Sequence, residues 1–298
     1  MISTDLLKFF RVKPGSRVRL EDFDPGWEQT DELARLGKES VKQRAEGLLE
    51  ACVAELTQAQ ELLYADNRHA VLVILQGMDA AGKDGTIKKV MSGLNPQGCQ
   101  VYSFKAPSDE ELDHTFLWRC VCRMPERGRI GIFNRSYYED VLIARVHPEL
   151  LGTHLPPGKR GKSFWKGRMD DINALEDHLV RNGTVVVKFF LHISKDEQQR
   201  RFLDRLNQPE KHWKFNPGDL KERGYWDDYV DAYEKALTAT STKHAPWYVI
   251  PANHKWVAHA VVASILSTTI DEMKLEFPQV TPEQKQGLEA ARTQLESE

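Results

Sequence analysis

The chain has no apolar run approaching the roughly 20 residues that a membrane-spanning helix needs, which excludes a helical membrane protein. It has no internal repeat, no low-complexity block and no composition shift that would mark a linker, so a repeat architecture and a string of tethered domains are both unsupported. Cysteine is scarce, with 4 in 298 residues. Cys52, Cys99, Cys120 and Cys122 show no Cys-x-x-Cys spacing and lie near no histidine pair at zinc-finger distance, so small buried hydrophobes are their expected role. Neither sign of charge dominates: 41 Lys and Arg stand against 44 Asp and Glu, a formal net charge of −3. A polyanion would therefore be drawn by local clusters rather than by the whole-molecule field. Such clusters occur at Lys88-Lys89, Lys159-Arg160-Lys162, Arg200-Arg201-Arg205 and Lys211-Lys214, each of which, read alone, is a solvated face. The first 20 residues are too basic and broken for a signal peptide, and a soluble cytoplasmic protein is expected.

What is present is an alternation. Residues 1–36 are polar with Pro14 and Pro25 and read as an N-terminal arm. From Ser40 to Asn67, apolar residues recur at helical spacing, which predicts one long amphipathic helix whose stripe needs a partner surface. Strands are predicted at Ala70–Gln76, Gln100–Phe104, Arg129–Phe133, Thr184–Ile193 and Trp247–Pro251, each followed by helical pattern, the signature of a parallel α/β sheet. Ser108-x-x-Glu111 and Ser194-x-x-Glu197 fit the capping box and open helices beside strand ends. Residues 152–162, rich in Gly, Pro and basic side chains, read as a long mobile loop, and 208–219 as an irregular segment placed where a lid could lie. The expected division is an arm (1–36), a single domain (37–275, with a lid about 194–222) and a polar, weakly helical tail (276–298).

The most informative stretch is VLVILQGMDAAGKDG, residues 71–85. Gly77, Gly82 and Lys83 satisfy G-x-x-x-x-G-K at a strand-to-helix junction, where backbone N–H groups converge on phosphate oxygens and the lysine reaches the outer phosphates. The next position departs from the pattern. The Ser or Thr that normally offers its hydroxyl to magnesium is replaced by Asp84, and a second carboxylate, Asp79, lies inside the loop, so magnesium must be held differently.

Phosphoryl transfer needs in-line positioning and positive charge around the group in flight. After the third strand, Asn134 occupies a place often held by aspartate, Arg135 can meet an anion, and Glu139 and Asp140 open the next helix. Arg201 and Arg205, four apart, share a helix face and are read as closing over phosphates. His147, His154, His254 and His259 have no carboxylate at a consistent offset, so metal or general-base roles are not expected of them. Trp165, Trp213, Trp226 and Trp247 are read as packing residues.

These motifs, together with SFKAPS (103–108), FNRSYYEDVL (133–142), LHISKDEQQRRFLDRL (191–206), KHWKFNPGDL (211–220) and APWYVIPANHKW (245–256), make the chain resemble the polyphosphate kinase 2 family, class III, over roughly residues 10–275. The resemblance implies a P-loop kinase fold related to thymidylate kinase, an α/β architecture with about five parallel strands flanked by helices and a helical lid. It implies a Mg2+- or Mn2+-dependent phosphotransferase that moves the terminal phosphate of inorganic polyphosphate reversibly onto AMP and ADP, with GMP and GDP as further candidates. Neither nucleic acid nor membrane is implied as a partner, and a homodimer or homotetramer is. Carried onto this chain, Asp79, Lys83, Arg135, Arg201 and Arg205 are the catalytic candidates. Gly77, Ala80, Ala81, Gly82, Asp84, Gly85, Glu139 and Lys214 are candidates for phosphate or nucleotide binding, with Glu139 linked to acceptance of a monophosphate. Asp79 is the expected metal ligand. Class I relatives carry aspartate where Asn134 stands, which leaves the ligand role of Asn134 open. The stripe of the Ser40–Asn67 helix is a candidate oligomer interface. Two rival readings share the loop: an ATP-dependent nucleotide kinase, and a nucleotide-sensing protein without catalysis, the latter motivated by Asp84.

Overall fold

The computed structural model describes residues 4–30, 35, 37–152, 155–156, 158 and 160–298. Parts of the arm and of the 152–162 loop, including His154 and Lys159, lie outside the described residues. Five strands, β1 (Ala70–Gly77), β2 (Cys99–Ser103), β3 (Ile130–Asn134), β4 (Thr184–His192) and β5 (Trp247–Pro251), form one parallel sheet in the order β2-β3-β1-β4-β5. Strand β1 is central and every one of its residues is buried, because helices cover both faces. That is why its sequence is a continuous apolar run rather than an alternation. The register pairs Leu75 with Asn134 and Gly77 with Leu191, so the carboxyl ends of β1, β3 and β4 come out at one edge. The chain leaves β1 for β2 on one side and reaches β4 on the other, and ligands of open α/β sheets bind at such a switch point.

In chain order the helices are α1 (Thr4–Phe10), α2 (Lys38–Asp66), α3 (Lys83–Val90), α4 (Asp109–Asp113), α5 (Trp118–Val121), α6 (Ile143–Val146), α7 (Lys162–Arg181), α8 (Lys195–Leu206), α9 (Pro217–Gly224), α10 (Trp226–Thr240), α11 (Lys255–Asp271) and α12 (Pro282–Glu296). The long helix α2 ends where Asn67 turns into the left-handed region at φ 50°, a conformation Asn tolerates. Its stripe, including Val41, Cys52, Leu56 and Leu63, is buried. The partner is α11 of the same chain, tied on by Cys52 Sγ to Ser264 Oγ (3.4 Å) and Ser267 Oγ to Glu55 Oε2 (2.6 Å). Part of the stripe thus finds its partner surface within the protomer, while Ala45, Leu48, Leu49, Ala59 and Leu62 stay half-buried. Full burial of a leucine such as Leu56 or Leu63 contributes about 1.5–3 kcal/mol.

The arm packs on the β5 side of the sheet. Phe10, Val12, Val18 and Leu20 are buried, Val12 N–H donates to Trp247 O (2.9 Å), and Leu20 N–H donates to Glu234 on α10 (2.8 Å). The capping box at Ser108 is complete, but the one at Ser194 is half made. Ser194 Oγ accepts from Glu197 N–H, while the Ser194 N–H donates to Asn253 Oδ1 because the Glu197 carboxylate is drawn to Arg200 and Arg201. The supposedly irregular segment 208–219 contains a 3-10 helix at Pro209–Lys214 and the start of α9, which Asn216 caps by accepting from Gly218 N–H. Of the cysteines, Cys52 and Cys120 are buried as expected but Cys122 is exposed. Trp165 and Trp247 are packing residues, whereas Trp213 is 79% exposed and lies outside the core. No helix among the described residues is long and apolar enough to cross a membrane.

Candidate active site

The loop after β1 is built by steric exclusion. A Cβ added at Gly77 would lie 2.9 Å from the Leu191 carbonyl oxygen on the adjacent strand, so no larger residue fits there without moving the backbone. Gly82, at φ 106°, supplies the left-handed turn into α3, and Ala80 takes φ 62°, an unfavourable conformation for a residue with a side chain. Lys83 bends back under this loop and donates to the carbonyls of Gly77 (2.7 Å) and Met78 (3.3 Å). Burial, reinforced by the Arg135 guanidinium, pulls its ammonium down to a pKa of about 8.

Two side chains brace the loop from α8. Gln198 Nε2 donates to Asp79 O (2.9 Å). Arg201 donates to Ala80 O (2.8 Å), Ala81 O (2.9 Å), Ala252 O and Asn253 O (3.1 Å), and to Glu197 Oε1 (2.6 Å). Arg201 is 5% exposed, and burial lowers its pKa from the usual arginine value. In this arrangement its donors go to Glu197 and to carbonyls of the loop and of the segment after β5, rather than into the cleft. Arg205 does point toward the cleft side, 3.7 Å from Asp219 Oδ2. Lys214 lies on the 3-10 helix, exposed, with its ammonium over the Trp213 ring.

Facing the loop is the turn after β3. Arg135 adopts φ 65° and sets its guanidinium between Asp79 Oδ1 (3.0 Å) and Glu139 Oε2 (3.5 Å). These carboxylates, Glu139 first, raise its pKa. The strained turn is anchored by the two tyrosines next in the chain. The Tyr137 and Tyr138 hydroxyls both donate to Glu176 Oε1 (3.0 and 2.9 Å), and Lys188 donates to Glu176 Oε2 (2.5 Å), Tyr138 Oη (2.9 Å) and Thr240 O (2.7 Å). All four side chains are fully buried, so each polar atom needs its partner. Asn134, at the end of β3, donates through Nδ2 to Asp84 Oδ1 (2.7 Å).

Between loop and turn opens a cavity of about 340 Å³. Gly77, Met78 and Asp79 form one side, Arg135 and Glu139 another, and α9 and α10 close it with Asp219, Glu222, Arg223, Trp226, Tyr229 and Tyr233. The sequence reading missed most of this last wall; Trp226 does pack against the core as expected, and it borders the cavity as well. Its signal was present as Trp226, Tyr229 and Tyr233, spaced three and four apart on one helix face. His147, which lies outside the cavity, bonds Glu222 Oε2 (2.9 Å), and the Tyr229 hydroxyl donates to the same oxygen (2.6 Å). Among the described residues no three His, Cys, Asp or Glu side chains cluster as a self-sufficient metal cage. Mg2+ is commonly held by one or two carboxylates together with substrate phosphates, and the loop carboxylates Asp79 and Asp84 fit that pattern.

A parallel sheet of this order, with a glycine-framed loop and lysine at the end of its central strand, is the frame of the P-loop kinases. Residues 39–278 match the family model described as polyphosphate kinase 2, and the chain belongs to that family. A protein named ADP-polyphosphate phosphotransferase from Rhodopseudomonas palustris is 52% identical over 97% of this chain and 98% of its own length. One named AMP/ADP-polyphosphate phosphotransferase from Meiothermus ruber is 45% identical over 92% of this chain and 96% of its own. The crystal structure of polyphosphate kinase 2 from Arthrobacter aurescens TC1 superposes with a TM-score of 0.83 at 40% identity, covering 95% of this chain and 96% of that one.

Proposed function

We propose that this protein transfers the terminal phosphate of inorganic polyphosphate to AMP and ADP, forming ADP and ATP, with Mg2+ or Mn2+ bound alongside the phosphates. The observation that carries the reading is the single cleft in which the lysine loop, the Asp79–Arg135–Glu139 string and the Trp226–Tyr229–Tyr233 wall face one another, in a chain whose relatives are named for polyphosphate and these acceptors. The loop amides and Lys83 hold the donor chain. An acceptor phosphate oxygen attacks the terminal phosphorus, the bridging P–O bond breaks, and the polyphosphate leaves one unit shorter, with no covalent enzyme intermediate. Arg135 exchanges a carboxylate for the oxygens of the group in flight, and Glu139 keeps its guanidinium aimed there. The aromatic wall takes the nucleoside, and residues 194–222 act as the lid of a 37–275 kinase domain, excluding water. The cation, when bound, neutralises charge on the phosphates. Four free cysteines fit the reducing cytoplasm.

The test supplies ADP or AMP, Mg2+ and long-chain polyphosphate as sole donor. ATP from ADP, and ADP followed by ATP from AMP, is the expected outcome. Product only when ATP is added would establish the ATP-dependent alternative, and tight nucleotide binding without transfer would establish a sensing role.

A further inference from the structure

Behind the cleft the fold leaves a second and larger cavity, of about 580 Å³, in the groove between α7 and α10. The two cavities stand back to back on α10, which turns Trp226, Tyr229 and Tyr233 into the cleft and Asp231, Lys235 and Thr238 into the groove. The N-terminal arm supplies a further wall. Val18 is buried and its N–H donates to Thr238 Oγ1 (2.9 Å), which carries Arg17 to the cavity. We propose that this groove is an anion site for condensed phosphate, in which Arg17, Arg145 and Lys162 hold a segment of the polyphosphate donor remote from its reacting end.

Five cations and three carboxylates line the groove, and they differ in their commitments. Asp170 pairs with Lys166 (2.6 Å), Asp231 pairs with Lys235, and Glu234 accepts the Leu20 N–H (2.8 Å). Arg17, Arg145 and Lys162 are left with no ion pair to any described residue. Arg145 is the most telling of the three. It is half-buried, its guanidinium lies 5.4 Å from the centre of the Trp165 ring, and loss of water lowers its pKa from the usual arginine value. Asp231 opposes that shift only from beyond ion-pair distance and is itself held by Lys235. A guanidinium partly stripped of water, with no carboxylate in contact, is stabilised by an incoming phosphate, which its planar fork matches. The first turn of α7, which Lys162 opens, contains no acidic residue and has no side-chain cap, so the helix dipole adds positive potential at that end. Trp165, Met169 and Val18 form an apolar floor at most 8% exposed, and Arg145 already covers the Trp165 ring. No aromatic face is open to a nucleobase there, which favours a phosphate chain over a nucleotide. The inference rests on the proposed donor and adds a second hold on it. With the reacting end in the loop, capture of a remote segment is intramolecular, so only chains long enough to reach both places gain affinity.

The test measures equilibrium binding of long-chain polyphosphate to the full chain without nucleotide. It then compares KM and kcat, with ADP and Mg2+, for long-chain polyphosphate and for the shortest chain that supports transfer, and thermal unfolding checks the fold of each variant. In the triple variant Arg17→Gln, Arg145→Gln, Lys162→Gln, the long-chain Kd and KM are expected to rise at least about fivefold, while kcat and the short-chain KM stay within about twofold. Arg145→Lys keeps the charge and is expected to retain most of the long-chain affinity that Arg145→Gln loses, a rescue that turns on charge rather than on packing over Trp165. If the triple variant does not fold, Arg17→Gln with Lys162→Gln, both at exposed positions, takes its place with an expected rise of about threefold. An unchanged long-chain Kd, or an equal rise in KM for both chain lengths, overturns the proposal. Intact polyphosphate binding with weakened ATP binding would also overturn it and make the groove a nucleotide site. A chain that binds long polyphosphate through these residues but transfers nothing from it would defeat the proposed function and leave this inference standing.

Discussion

Arg135 and Arg201 both flank the phosphate loop, and both carry the same expected task when read from the sequence, yet their surroundings differ in kind. Arg135 stands in the cleft with its charge matched by Asp79 and Glu139. Arg201 is buried behind the loop, its donors divided among four backbone carbonyls and Glu197. An arriving phosphate can replace Asp79 on Arg135 at small cost, since one anion substitutes for another. For Arg201 to reach the same phosphate, the carbonyls of Ala80, Ala81, Ala252 and Asn253 would lose their donors in a buried site. The front of the loop is thus arranged for exchange and the back for permanence. A loop with Ala80 in a left-handed conformation needs that permanence, because the strain persists only where neighbours over-determine it.

The sharpest way to break this comparison is at the loop itself. Lys83→Ala removes the ammonium that both regions surround, and a loss on the order of 100- to 1000-fold in turnover with polyphosphate and ADP is expected from the removal of one preorganised charge. The fold should survive, because Lys83 is only partly buried by exposure and water entering from the cleft can take over its bonds to the Gly77 and Met78 carbonyls. Wild-type-like turnover in this variant would take the loop out of the mechanism.

Next in size is the direct contrast. Arg135→Ala should lower turnover by on the order of 100-fold while leaving the melting temperature nearly unchanged, since Asp79 and Glu139 remain open to water. Arg201→Ala should do the opposite first: loss of a buried, charge-assisted network costs roughly 2–4 kcal/mol, seen as a melting temperature lower by at least about 5 °C. Arg201→Lys should rescue little, because a single ammonium cannot span carbonyls on two separate segments. If Arg201→Ala left stability intact and lost only activity, the division between front and back would be wrong.

Much of this arrangement was legible in the chain and some was not. The inner strands were readable because parallel strands buried on both faces are continuous apolar runs, as in Val71–Leu75, whereas the half-exposed edge strand β2 showed only a short run around Val101 and Tyr102. The predicted bounds of all five fall within a residue of those observed. The glycine loop was readable because its constraints are local. The depth of Arg201 was not, since spacing of four residues says that two guanidinium groups share a helix face and nothing about which loop lies beneath. The partner of the α2 stripe was hidden for a related reason: α11 is apolar all round and carries no pattern to announce which of its faces meets which neighbour. Trp226 packs against the core as its sequence suggests and also borders the cavity, the second of which a sequence pattern does not announce.

The smallest effect sharpens the comparison through pH. Burial holds Lys83 at a pKa of about 8 against an ordinary value of 10.5, so in the free protein its ammonium is progressively lost above pH 8. Because kcat/KM reports the free enzyme, it should fall on the alkaline side with a midpoint near 8, approaching tenfold per pH unit beyond it. Bound phosphates favour the charged form, so the corresponding fall in kcat should lie at higher pH. Stability moves the other way. Between about 8 and 10.5 the unfolded lysine binds the proton more tightly than the folded one, so this residue's contribution to unfolding free energy rises with pH across that window. Lys83→Arg, which cannot deprotonate in this range, should remove the alkaline fall in kcat/KM even where it lowers the plateau. An alkaline limb that persists unchanged in Lys83→Arg would assign it to another group and separate the loop's charge from the activity it is expected to govern.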